Sequence, residues 1–254
     1  MKDFAVELAK EAGQVLMDHL KRRLAVESKS SEIDLVTEAD VASEKLIVEA
    51  ICERYPEHSI LSEEGLGKEQ AGEFLWLIDP LDGTTNYAHG YPVFCVSIAL
   101  QREGETVLGV TYDPVRDELF WAEKGKGAYC NGRRLSVSGT DSLRRSLLAT
   151  GFPYARASIE DNNVAEFGRI MPRVQGVRRG GAATLDMAYV AASRLDGYWE
   201  FHLSPWDWAA GDLLVREAGG RTSDVLGQPW RLRSNNMVAT NGLLHEKLLA
   251  ALKG

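Results

Sequence analysis

The chain has 254 residues, of which 44% are apolar and 26% charged. That balance excludes wholesale disorder, and a chain of this size buries about 70–75% of its unfolded surface, so it needs no disulfide or zinc staple. Its 29 basic and 37 acidic side chains leave a net charge of −8, which argues against direct nucleic-acid binding and suits solubility or the holding of hard cations.

In chain order, Phe4, Leu8, Ala12, Val15, Leu16 and Leu20 recur at helical spacing and predict an amphipathic helix. Glu7, Lys10 and Glu11 interrupt what a signal peptide would need as an apolar core. No run approaches the roughly 18 apolar residues of a membrane span. Cys52, Cys95 and Cys130 form no CxxC pair, and the five histidines have no zinc spacing. These features predict a cytoplasmic protein that does not engage a membrane.

The polar stretch from Glu27 to Asp34 reads as a mobile loop, and a second helix is predicted from Thr37. There Thr37-Glu-Ala-Asp40 has the form of a capping box, and Tyr55-Pro56 ends the helix. His58–Leu61, Phe74–Asp79, Val93–Leu100, Thr106–Tyr112 and Glu118–Ala122 read as strands. The last four make an antiparallel meander, with turn chemistry at Arg102-Glu103-Gly104-Glu105 and Asn131-Gly132. Beyond residue 140 the signals mix. Gly180–Arg194 is a glycine-rich entry into a helix and Gly197–Phe201 a strand. Ser204–Ala218 is a helix with Ser204 as cap and Pro205 at its first position. A strand at Met237–Thr240 and a helix at Leu243–Leu252 close the chain. The stretch from Ser136 to Arg179 carries no pattern tied to chemistry. No linker or repeat appears, so the chain reads as one α+β domain over 1–254, with halves meeting near residue 140.

The most informative segment is Trp76-Leu-Ile-Asp79-Pro80-Leu81-Asp82-Gly83-Thr84-Thr85-Asn86. An apolar strand runs into a loop with two carboxylates three residues apart. Carboxylates so close repel by about 4 kcal/mol at 4 Å and an effective dielectric near 20, so a cation between them is a natural remedy. The competing reading is a loop whose Asp side chains cap nearby amides. Glu63 and Glu64 follow a strand, and Asp207, like Asp40, sits at the third position of a capped helix. Helix N-termini favour negative charge, so both Asp residues are expected to stay ionised at neutral pH. Cys95 is read as a buried hydrophobe, and Trp206 and Trp208 as helix packing.

Asp79-Pro-Leu-Asp82-Gly83-Thr84-Thr85-Asn86, then Trp206-Asp207-Trp-Ala-Ala-Gly211, resemble the two signatures of the inositol monophosphatase family. Asp34-Leu-Val-Thr37-Glu-Ala-Asp40 and Glu63-Glu64-Gly65 support this. The resemblance implies a layered α-β-α-β-α sandwich, a homodimer, and Mg²⁺-dependent hydrolysis of a small phosphate monoester, foremost myo-inositol monophosphate, using two or three ions. It implies that Glu63, Asp79, Asp82, Asp207 and the Leu81 carbonyl hold metal. Thr84 with Asp40 would orient and deprotonate the attacking water, with Glu63 beside them. Amides of Gly83 and Thr84 would hold phosphate, and Gly181, Ala182, Ala183, Glu200, Asp82 and Asp207 would line the substrate. Lys29 falls where the family has a lysine near the metals, and Arg178-Arg179 could steer phosphate. The resemblance also implies Li⁺ sensitivity. The alternatives are a fructose 1,6-bisphosphatase, another sugar or polyol phosphatase, or a non-catalytic partner of the transcription machinery. An aspartyl-phosphate enzyme is disfavoured, because that class spaces its two Asp residues two apart.

Overall fold

A computed structural model describes residues 1–25, 32–70 and 72–253, with the backbone alone for 23–25 and 32–37. Two helices come first, α1 (Lys2–Ala25) and α2 (Glu32–Arg54). The apolar stripe of α1 is buried at Leu8, Ala12 and Leu16. The second helix starts earlier than predicted. Nothing from Glu32 to Val36 breaks a helix, so Thr37 lies inside α2 rather than at its cap, and Asp40 is well within it. Of the loop expected at 27–34, residues 32–34 belong to α2. The rest, Lys29 included, lies outside the described residues.

The first sheet contains β1 (Ser59–Ser62), β2 (Phe74–Asp82), β3 (Cys95–Arg102), β4 (Glu105–Asp113), β5 (Glu118–Glu123), β6 (Gly127–Cys130) and β7 (Arg133–Arg134). They lie side by side in chain order. β1 runs parallel to β2 and every later neighbour is antiparallel, so the predicted meander holds. The predicted turns have positive φ at both central residues: 51° and 80° at Glu103-Gly104, 47° and 78° at Asn131-Gly132. That matches the right-handed twist of a hairpin. A short helix, α3 (Thr84–Ala88), interrupts the meander between β2 and β3.

The second sheet contains β8 (Leu147–Thr150), β9 (Gly176–Arg178), β10 (Gly197–Phe201), β11 (Arg221–Ser223) and β12 (Asn236–Thr240), in the order β11-β12-β10-β8-β9. Its helices are α4 (Val164–Ile170), α5 (Ala183–Ala191), α6 (Pro205–Glu217) and α7 (His245–Lys253). β8, α4 and β9 all fall between Ser136 and Arg179, where no pattern is legible along the chain. Each is at most seven residues long, too short to establish a period.

The layers follow from which face each strand residue buries. On β2, Trp76 and Ile78 pack with Leu8, Leu16, Ile47 and Ile51 of α1 and α2. Leu77 points the other way, into the layer made by Met187 of α5 and Leu213 and Leu214 of α6. Those two helices also meet the second sheet at Ala149, Tyr198 and Ala239. On the far side, Leu148, Trp199 and Val238 pack with Ile170 of α4 and Leu248 of α7. The result is the α-β-α-β-α sandwich. Both faces of the sheets are covered, which is why their strands read as apolar runs instead of alternating ones. The layers are tight: a Cβ at Gly109 would come within 2.9 Å of the Ala210 backbone.

Candidate active site

The site begins with a defect in β2. Asp79 pairs with Ser97 and Asp82 with Cys95, three steps on β2 against two on β3. Pro80 has no N–H to donate, so the ladder cannot continue through it, and the extra residue is absorbed as a bulge. In a regular strand, residues three apart face opposite sides. The bulge instead turns both carboxylates toward one cavity. β2 therefore reaches Asp82 rather than ending at Asp79, and the two carboxylates belong to a distorted strand end rather than a loop. Asp79 Oδ1 accepts the Leu81 N–H at 3.0 Å. The Thr84 hydroxyl donates to the Leu81 carbonyl at 3.1 Å.

Asp82 links this end to α5. Its Oδ1 accepts the Ala183 N–H at 3.0 Å and its Oδ2 the Thr184 N–H at 2.7 Å. These are the first amides of α5, which have no partner within the helix. Cys95, buried as expected, donates its thiol to Asp82 Oδ2 at 3.6 Å. Asn86 fixes the approach to α5 by donating to the carbonyls of Val93 at 2.7 Å and Gly180 at 2.9 Å. Gly83 is required at φ 100°, where an added Cβ would also meet the Val93 oxygen at 2.9 Å.

From the second sheet come Asp207 and Glu200. The predicted cap of α6 is present: Ser204 donates its N–H to Asp207 Oδ2 at 2.7 Å. Glu200 projects from β10 and accepts the Tyr198 hydroxyl at 2.5 Å. Space for it exists only because residue 151 is glycine, since a Cβ there would lie 2.1 Å from the Glu200 carboxylate.

Glu63, Asp79, Leu81, Asp82, Gly83, Thr84, Gly181, Ala183, Glu200 and Asp207 all line one cavity of about 240 Å³. Two expected residues do not. Ala182 is buried in the core between the sheets. Asp40 sits on α2 with its Oδ1 buried and without a hydrogen-bond partner. Thr84 is not bonded to Asp40; its hydroxyl goes to Leu81. Next to Asp40 on the same helix, Ser43 donates to the Pro80 carbonyl at 3.0 Å, docking α2 on the bulge. Glu44 is fully buried, with Oε2 unpartnered.

Phe152, Tyr154, Arg179, His202, Leu203, Ser204 and Trp206 complete the lining. Arg178 is not part of it, and Trp206 faces the cavity rather than only packing its helix. Phe152 and Tyr154 escaped the sequence reading. The available signal was Gly151, whose reason for being glycine is a residue on another strand.

The electrostatics are one-sided. Burial, then Glu64, Glu63 and Glu44, push the Asp40 carboxyl up to about 8. At the open rim, partial loss of hydration with Asp82 and Glu64 pushes Glu63 up to about 7, against a hydrogen bond from Asp79. Burial pushes Glu200 up to about 7 against its bond from Tyr198. Burial and neighbouring carboxylates also raise Asp79 and Asp207, and burial raises Asp82 against its hydrogen bonds from Thr184, Ala183 and Cys95. The expectation that Asp40 stays ionised at neutral pH is thus overturned for the protein's own groups, and Asp207 is pushed in the same direction. Asp40 has no helix N-terminus beside it. At Asp207 a dipole effect of about 0.3–1 kcal/mol is outweighed by burial and like charge. Among the described residues, no three of these groups stand close enough to close a coordination sphere. The cluster is open, but its all-oxygen donors and orphaned buried carboxylate oxygen suit a hard divalent cation.

Comparison with known proteins places the chain among relatives of one family. The chain is 46% identical to the Nus factor SuhB of Pseudomonas aeruginosa, covering all of this chain and 96% of that one. It is 46% identical to an inositol-1-monophosphatase of Synechocystis, covering 98% and 88%. The structure of an inositol monophosphatase from Anabaena superposes with a TM-score of 0.90 at 48% identity, covering 99% of this chain and 94% of that one. The inositol monophosphatase family, generally metal-dependent phosphatases, matches residues 1–254, and with its sandwich and acidic cavity the chain belongs to that family.

Proposed function

We propose that the chain is a Mg²⁺-dependent phosphatase that hydrolyses myo-inositol monophosphate to inositol and phosphate. The observation that carries this reading is the convergence of Glu63, Asp79, Asp82, Thr84 and Asp207, remote in sequence, on one acidic cavity. Glu63, Asp79, Asp82, Asp207 and the Leu81 carbonyl would hold the ions, two or three in number. Bound there, Mg²⁺ supplies Lewis acidity toward phosphoryl oxygens and lowers the pKa of water.

The chain's own groups do the rest. Amides of Gly83 and Thr84 hold the phosphate against the bulge, and Asp82 fixes their distance to α5. Asp40, with an unpartnered oxygen, would be the base that accepts the water's proton once cations bound in the cavity offset the like charge of Glu63 and Glu64 and hold it ionised. Thr84 relays that proton by turning about χ1 away from Leu81. Glu200, held by Tyr198 and given room by Gly151, accepts hydrogen bonds from the polyol hydroxyls. Arg179, which lines the cavity, draws the dianion in.

The test is phosphate release from a substrate panel with Mg²⁺, with and without Li⁺. Inositol phosphates are expected to turn over fastest and to be inhibited by Li⁺. Inactivity on them with rapid cleavage of fructose 1,6-bisphosphate would move the assignment to the sugar bisphosphates. By resemblance we also propose a homodimer in the cytoplasm.

A second reading rests on the relative described as a Nus factor. Under it the chain also docks on a component of the transcription machinery, a partner class that its net charge alone does not suggest. Stoichiometric co-purification of such a component with a variant lacking turnover, for example Asp82→Asn, would support that role apart from catalysis.

A further inference from the structure

Away from the acidic cavity lies a larger one, about 360 Å³, walled by the β5–β6–β7 hairpins and the C-terminal end of α5. Glu118, Cys130, Asn131, Arg133, Arg134 and Arg194 are among its lining residues. Three guanidinium groups against one carboxylate give it a net positive wall on a chain whose total charge is −8. We propose that this cavity is a second, non-catalytic site for a small molecule bearing a phosphate group.

The arginines divide into two kinds. Arg194 is already engaged: both its terminal nitrogens bond the Glu118 carboxylate, one of them at 2.5 Å, and its guanidinium lies 4.9 Å from the Tyr189 ring centre. It is a fixed wall. Arg133 and Arg134, both exposed on the edge strand β7, have no ion pair among the described residues. They are the free donors. A guanidinium presents a planar fork that matches two oxygens of a phosphate at once, and two such forks suit a dianion. The end of α5 carries partial negative charge and by itself repels an anion, so the attraction must come from β7. The volume falls in the range of small-molecule sites, roughly 300–1,000 Å³. The alternative is that Arg133 and Arg134 only keep a sheet edge from pairing with another chain.

Cys130 makes the two distinguishable. It lines the cavity and is partly exposed, whereas Cys52, also partly exposed, is not part of that lining and serves as internal reference. The full-length protein is treated with EDTA, so the acidic cavity repels phosphate, and alkylation of each cysteine is followed by peptide mass spectrometry at constant ionic strength. Inorganic phosphate and inositol 1-phosphate are the probes. Burial holds the Cys130 thiol above its ordinary value, so the reaction is run at alkaline pH. Saturable protection of Cys130 alone is expected, about tenfold at ten times the Kd. It should be absent in Arg133→Gln/Arg134→Gln, whose Mg²⁺-dependent turnover matches wild type. The probe that protects at the lower concentration identifies free phosphate or an organic phosphate as the ligand. Protection no greater than with chloride, or protection that survives in the double variant, overturns the proposal.

Discussion

Two groups of carboxylates in this protein, all buried except the half-buried Asp207, have opposite surroundings. Asp113 accepts the backbone N–H groups of Val115 and Arg116 and pairs with the Arg116 guanidinium at 2.9 Å. Asp212 pairs with Arg216 at 2.8 Å and accepts the Thr222 hydroxyl at 2.6 Å. Asp196 accepts from Ser138 and from the Leu147 N–H. Each has its compensation within the chain. Asp79, Asp82 and Asp207 instead face one another and Glu63, and what they lack is positive charge. A fold that satisfies some buried carboxylates so fully and leaves others in mutual repulsion has reserved the second group for something outside the polypeptide.

Asp82→Asn tests that contrast most severely. It should lower Mg²⁺-dependent turnover by about 10²–10³-fold, on the scale of losing one preorganised charge-stabilising group. Unchanged kinetics would remove Asp82 from the proposed machinery.

The next effect gathers several groups. Asp40 at about 8, and Glu63 and Glu200 at about 7, all lie above the ordinary carboxyl range in the folded protein. The native state then holds protons that the unfolded chain has lost. Their contribution is present in full below about pH 4 and disappears as the pH rises through 7 to 8. Thermal melts of EDTA-treated protein should therefore fall in midpoint across that interval, and saturating Mg²⁺ should flatten the decline. A midpoint that rises with pH would contradict the clustering of raised carboxyls.

Asp212→Asn belongs to the other group and should do the reverse. Stability drops by about 2 kcal/mol, less than for a fully buried pair because Arg216 is partly solvated. Turnover of the folded fraction stays near wild type. Denaturant melts and single-time-point assays separate the two. The smallest expected effect is that of Gly151→Ala, which displaces Glu200. KM for inositol phosphate should rise roughly tenfold with kcat nearly unchanged, the scale of one hydrogen bond to a charged group. Unaltered KM would show that Glu200 does not meet the substrate.

Much of the fold was legible because it is local. The stripe of α1, the turns at Glu103-Gly104 and Asn131-Gly132, and the cap of α6 are set by residues a few positions apart. The Asp79–Asn86 and Trp206–Gly211 segments were legible as motifs. Illegible were the start of α2, where no residue breaks the helix, and the short elements between Ser136 and Arg179. In both places several conformations are locally acceptable, and packing selects one.

The sequence by itself determined the stripe of α1, the antiparallel meander, the capped α6 and the identity of the acidic groups, since periodicity, turn chemistry and residue type are properties of neighbours along the chain. Only the tertiary structure decided that a bulge at Pro80 turns Asp79 and Asp82 the same way, and that Asp82 caps α5. It also decided that Gly151 makes room for Glu200 and that Asp40 loses its ordinary acidity. Each of these depends on a backbone approach or a burial brought about by residues distant in sequence, and charge and hydration respond to distance in space.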